Sequence, residues 1–345
     1  EGYPFSPLLT ITHTMLALSV EGSSYTLVSD APRPTPSEGE AVIRVLAAGI
    51  CNTDLEIIQG YMGFQGIIGH EFVGVVEEAP PAASDLIGKR VCGDINLACG
   101  SCGTCGLKSD RSRNHCPTRT VLGILNKNGT MAEYITLPVA NLHEVPDSLT
   151  DEQAVFVEPL AAACRIVEQG VVSSGTPDAR VAVMGDGKLG LLCCEVLGRQ
   201  GLTTKPTLFG KHKKKMDLVA DVVDGVHVDK AGDHAGIFDV VVDATGSPCG
   251  LDMARSLVRP MGTIVLKSTC AAAAGFNAAP WVIDELRILG SRCGPFPDAI
   301  ALLADGTLDV GKYVTRMFPL AEAEDAIRCA GERTTMKVLL RCSER

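Results

Sequence analysis

Two groups of metal-binding side chains stand out in this chain. The run Gly49-Ile50-Cys51-Asn52-Thr53-Asp54 is followed, after a short stretch, by Gly69-His70-Glu71. A cysteine thiolate and an imidazole are good zinc ligands, and a catalytic zinc keeps three protein ligands plus an open position. Each sits on a loop beside a strand-like segment, so the two could meet in a cleft. A single cysteine or histidine is, however, more often just packed or hydrogen-bonded. Further on, Cys99, Cys102, Cys105 and Cys116 fall within 18 residues. Gaps of two residues gather thiolates round a metal, whereas a disulfide framework disperses its pairs. Four thiolates fill a tetrahedron and leave no room for substrate, so this lobe reads as a closed structural zinc site. The other readings are an empty reduced lobe or one oxidised to disulfides, with His115 a weaker substitute ligand. Cys164, Cys193 and Cys194 lie in apolar, helix-like surroundings and read as small core residues.

A third constellation is Gly185-Asp186-Gly187-Lys188-Leu189-Gly190, a G-x-G-x-x-G turn between a strand (180–184) and a helix (189–200). In that context Gly185 permits the tight turn, Gly187 lets a pyrophosphate approach, and Gly190 lets helix and strand pack closely. The helix start, with Lys188 and Leu189, offers free N–H groups to phosphates. A carboxylate closing the second strand would hold a ribose 2′-hydroxyl and repel a 2′-phosphate. Here that strand ends in Thr207-Leu208-Phe209-Gly210, then Lys211-His212-Lys213-Lys214-Lys215. The expectation is NADP in preference to NAD, against the alternative that the lysines are only an exposed helical turn. Asp243-Ala244-Thr245-Gly246 and Leu266-Lys267-Ser268 end later strands, which places Thr245, Lys267 and Ser268 along the nicotinamide path. Arg292 is a weaker cofactor or substrate candidate.

The elements that position these groups fall into two textures. Residues 1–40 read as irregular, with the Pro-rich stretch 31–36. Short strands, including 41–46 and 72–76, continue to about 150 as a β-rich, barrel-like unit. One helix is expected over 151–167, capped at Thr150-Asp151 and interrupted by Glu158-Pro159. Strands at 207–209, 238–243 and 263–266 then alternate with helices at 213–219 and 251–257. That alternation means parallel strands and an open, doubly wound α/β sheet. After about 295 the texture turns irregular again. The division expected is 1–150 with 296–345 as one domain, and 151–295 inserted as the other.

With 345 residues the chain is long enough for two domains. Its net charge of 31 − 41 = −10 argues against nucleic acid as a partner, and no stretch approaches a membrane span. The chain starts at Glu1 rather than Met, reads as trimmed or processed, and shows no secretory signal. The clustered cysteines fit the cytoplasm or a reducing organelle lumen.

Taken together, Gly49–Asp54, Gly69-His70-Glu71, the four-cysteine lobe, Glu158-Pro159-Leu160 and the glycine turn resemble the zinc-dependent medium-chain dehydrogenases of the alcohol dehydrogenase superfamily. The resemblance runs over essentially the whole chain. It implies a GroES-like catalytic domain beside a Rossmann domain, and a homodimer or homotetramer. It also implies that Cys51 and His70 bind the catalytic zinc, that Thr53 relays the substrate proton, and that Asp54 steadies His70. Glu158 matches the third ligand of the polyol and threonine dehydrogenase branch; Glu71 is a second carboxylate that could bind directly or orient water. The family's structural zinc uses the cysteine lobe, but the gap from Gly106 to His115 is about three residues longer here. That insertion is rich in charge (Lys108, Asp110, Arg111, Arg113), and a loop absorbs such a length at small entropic cost. The expected chemistry is hydride transfer between an alcohol (polyol, amino-alcohol or sugar-like) and NAD(P), with two zinc ions per chain. Competing readings are a zinc-free enone or quinone reductase and a non-enzymatic dinucleotide-binding redox sensor.

Overall fold

In the computed structural model the described residues are 14–106, 112–173, 175–268 and 277–344. Lys108, Asp110 and Arg111 of the lobe insertion lie outside them. Two compact units are present, one from Glu1–Lys108, His115–Val145 and Arg316–Arg345, the other from Ser109–Asn114 and Pro146–Thr315.

The first unit is built on the strand Glu40–Ile50, whose apolar residues are nearly all buried. It pairs antiparallel with Glu71–Glu78 on one side and Lys337–Arg341 on the other, and Tyr134–Pro138 also joins it. From Thr14 on, the N-terminal region is regular rather than irregular as expected. Thr14–Glu21 and Ser24–Pro32 form an antiparallel hairpin that buries Met15, Ala17, Leu18 and Val20. The prolines that suggested a loop begin only at the end of its second strand.

The second unit holds a six-stranded parallel sheet. Numbered by sequence, its strands run 3-2-1-4-5-6: Asp224–His227, Thr207–Gly210, Val181–Met184, Phe238–Asp243, Val258–Leu266 and Arg287–Gly290. This is the dinucleotide-fold order, with the chain reversing direction beside the first strand. The two edge strands were not foreseen, because both are mostly exposed and lack an apolar run.

The helix expected over 151–167 is two helices, Asp151–Val155 and Val157–Glu168. A proline lacks an N–H, so Pro159 is tolerated only in a first turn, and the break at Phe156 places it there. The second unit also runs on past 295, to Thr315, because the helix Phe296–Ala304 packs on Val157–Glu168. The remaining C-terminal segment is regular too, with helix Ala323–Ala330 and strand Lys337–Arg341.

Candidate active site and metal centres

Strand register assembles the first centre. Glu71 pairs with Gly49, and Val338 pairs with Ile50 from the opposite side. Cys51 therefore leaves the central strand between the strand that starts at Glu71 and the one that starts at Lys337. It sits in extended backbone at the start of the helix Asn52–Ile58. Asp54, in the first turn, accepts the Cys51 backbone N–H on Oδ2 at 2.8 Å, half of a capping box. Its other oxygen lies 3.2 Å from Nδ1 of His70. One buried carboxylate thus fixes both Cys51 and His70. Burial pulls the His70 imidazole down, but Asp54 and Cys51 outweigh it and hold it well above the ordinary histidine range.

One donor atom each from Cys51, His70 and Glu71 lies within 4.8 Å of the others. Glu71 is fully buried; its Oε2 accepts from the Lys337 ammonium at 2.5 Å, while Oε1 has no partner among the described residues. A sulfur, an imidazole and a carboxylate with one orphaned buried oxygen form a donor set that fits a zinc ion. Burial pulls the Lys337 ammonium down, but Glu71 and Cys51 more than offset this, so it stays charged. Sequence reading missed Lys337. The available signal was a lysine inside the apolar run Met336–Leu340, a residue type almost never fully buried unless paired. Thr53 Oγ1 lies 3.8 Å from Cys51 Sγ. Glu158 belongs to the second unit, half-buried in the first turn of Val157–Glu168.

Cys99, Cys102, Cys105 and Cys116 converge as the second centre. Their recorded Sγ separations are 3.4, 3.9 and 4.0 Å. Zinc–sulfur bonds of about 2.3 Å in a tetrahedron put sulfurs about 3.8 Å apart, so the lobe fits that ion and is no disulfide. Backbone N–H groups of Cys99 and Cys105 point at the sulfurs of Cys116 and Cys102, each at 3.4 Å. Hydrogen bonds from the backbone at Ser101 and from Thr118 hold the Cys99 thiol down at about 5. Burial and neighbouring thiols push Cys105 up to about 12. Without a cation the four sulfurs cannot all ionise together. His115 is exposed and outside the group. Every cysteine among the described residues is a free thiol; Cys193 and Cys194 are buried, with burial raising both.

In the second unit the predicted nucleotide residues lie at the carboxyl ends of the parallel strands. Gly185 has φ 105°, and a Cβ on Gly190 would stand 1.9 Å from the Gly185 carbonyl oxygen, so only glycine fits either position. A Cβ on Gly187 would meet nothing within 4 Å, which leaves that side of the turn open. Lys188 and Leu189 begin the helix Lys188–Leu197, and Lys211 and His212 are exposed just past Thr207–Gly210. Thr245 Oγ1 donates to Asp243 at 2.7 Å, and Ser268 Oγ accepts from the Gly246 N–H at 2.9 Å. Lys267 departs from expectation. Its buried ammonium donates to the carbonyl oxygens of Ala162 and Arg292 and to Ser291 Oγ. All three donors are spent inside the protein, so it ties a strand end to a helix rather than reaching a cofactor. Arg292 donates to the Asn114 carbonyl.

A cavity of about 710 Å³ in the first unit contains none of the predicted site residues. Its cations are already paired, Arg33 with Glu77 and Glu78, Lys127 with Glu40.

Residues 37–147 match the family described as alcohol dehydrogenase GroES-like domain. The chain is 30% identical to D-altritol 5-dehydrogenase of Agrobacterium fabrum over 86% of its length and 90% of that protein's. It is 27% identical to a short chain alcohol dehydrogenase (rspB) of E. coli CFT073 solved with NADH, with a TM-score of 0.85 over 95% of this chain and 99% of that one. A zinc-binding dehydrogenase described as putative, from Sinorhizobium meliloti 1021 and bound to NADP, is 27% identical with a TM-score of 0.84, again over 95% and 99%. No helix among the described residues is long and apolar enough to cross a membrane.

Proposed function

The chain belongs to the zinc-type medium-chain alcohol dehydrogenase family, and from that premise we propose that it oxidises polyols or related sugar-like alcohols, reversibly, with NADP preferred to NAD. It is an NAD(P)-dependent oxidoreductase of alcohols and carbonyls acting on a small-molecule substrate. The observation that carries the zinc-dependent reading is the convergence of Cys51, His70 and Glu71, with a buried Glu71 oxygen unpartnered among the described residues. Those side chains would hold a zinc ion, which when bound supplies Lewis acidity to the substrate oxygen.

The chain's own residues supply the rest. Asp54 fixes Cys51 and His70 in place, and Lys337 holds one oxygen of Glu71. Thr53 Oγ1 relays the proton that leaves the substrate hydroxyl, accepting it while its own hydroxyl proton passes on toward the cofactor ribose and water. Glu158 is retained as a second carboxylate on the strength of its motif. The glycine turn and the strand ends bearing Thr245 and Ser268 hold the dinucleotide, whose nicotinamide carries the hydride. The exposed run Lys211–Lys214 supports the NADP preference, and the D-altritol relative supports a polyol. The cysteine lobe holds a second, structural zinc, and the chain works as a homodimer or homotetramer.

A screen of polyols, amino alcohols and ketoses with each dinucleotide, run with metal analysis, tests the reading. Expected are about two zinc ions per chain and activity lost on chelation of the catalytic one. Activity that survives full removal of zinc would instead indicate the zinc-free reductase chemistry.

A further inference from the structure

The strand Thr207–Gly210 ends without a carboxylate of its own, yet one stands there. Asp186, the middle residue of Gly185-Asp186-Gly187, reaches across from the glycine turn. Its Oδ2 accepts the backbone N–H of Lys211 at 2.9 Å and that of His212 at 2.6 Å, and lies 3.0 Å from Nδ1 of the His212 ring. The side chain is buried against Gly210; a Cβ on Gly210 would meet Asp186 Cβ at 2.9 Å and Oδ2 at 3.0 Å. The glycine at the strand end is therefore the space that this carboxylate fills.

We propose that Asp186 is a positioning residue for the cofactor's 2′-phosphate. It fixes the turn Lys211-His212 so that their basic side chains face the nucleotide. Two backbone N–H groups, with the His212 ring beside them, tie Oδ2 of this carboxylate to the basic turn. The lysines beyond offset its charge. Lys211, His212, Lys213 and Lys214 are all exposed around this point, so the cations face outward while the anion is covered. The proposal rests on the NADP preference proposed above. The opposite assignment gives Asp186 the usual work of a strand-end carboxylate, binding the ribose hydroxyl and repelling a 2′-phosphate. The two assignments differ in sign.

The test is the dissociation constant of NADPH and of NADH, measured by fluorescence titration without substrate, for the zinc-loaded protein and two variants. If Asp186 positions the basic turn, Asp186→Ala moves the NADPH-to-NADH affinity ratio at least ~10-fold toward NADH, the scale of one lost charge-assisted contact. Asp186→Asn still accepts the two backbone N–H groups and stays within about 3-fold of the original ratio. If Asp186 instead repels the phosphate, both variants move toward NADPH, and the proposal is overturned. An Asp186→Ala ratio within about twofold of the original overturns it as well. If Asp186→Ala does not fold, Asp186→Asn decides alone, because a clear move toward NADPH refutes positioning and a retained ratio supports it. Failure of the underlying reading looks different, since the unaltered protein would then bind NADH more tightly than NADPH.

Discussion

The two proposed metal centres of the first unit are built in opposite ways. The cysteine lobe draws its four sulfurs from 18 consecutive residues, with one exposed thiol and two sulfurs facing nearby backbone N–H groups. The Cys51 centre draws on three strands and a helix, mixes sulfur, nitrogen and oxygen, and is wrapped in buried charge from Asp54 and Lys337. A closed thiolate cage needs only spacing along the chain. An open site needs its donors held apart from one another, and here strand register, Asp54 and the buried Glu71–Lys337 ion pair do that.

Breaking the reactive centre at its ligand has the largest expected effect. Cys51→Ser lowers kcat by more than the ~10–100-fold typical of losing an outer partner. Dinucleotide affinity, proposed above to be set in the other unit, stays nearly unchanged in a fluorescence titration. Loss of both together would give Cys51 a folding role instead.

Next is the charge behind it. In zinc-stripped protein, Lys337→Met leaves the fully buried Glu71 carboxylate without its counter-ion, and urea denaturation should show ~3–5 kcal/mol of lost stability. A loss below about 1 kcal/mol would mean that this ion pair does not hold the strands together.

The smallest effect distinguishes the thiols of the lobe. Cys99, held down at about 5, is a thiolate at neutral pH and loses that character as pH falls through about 5. In zinc-stripped protein at pH 7, iodoacetamide should therefore label Cys99 ahead of Cys193, pushed up to about 11, and zinc should protect it. Mass spectrometry that found Cys193 labelled first would remove the distinction between a poised lobe and an inert core.

Much of this was legible in the chain. The glycine turn was readable because a tight turn and a close helix approach admit only one residue type, and Gly185 and Gly190 show both constraints. The central strands were readable because they are buried on both faces and spell apolar runs. The edge strands Asp224–His227 and Arg287–Gly290 were not, since an exposed strand carries no such run. The hairpin over 14–32 was hidden by the prolines at its end.

Local chemistry, then, is what the amino-acid order fixed: which side chains can bind a metal, which turn can cradle a phosphate, where helices start. Partners distant along the chain were decided by folding alone. Lys337 meets Glu71 only because Ile50 pairs with Val338 while Gly49 pairs with Glu71, and Asp186 meets His212 only because two parallel strands end side by side. Lys267, whose place at a strand end suggested a cofactor contact, turned inward to three protein oxygens. A buried charge must find its counterpart wherever the backbone brings one, and no spacing rule along the sequence encodes that meeting.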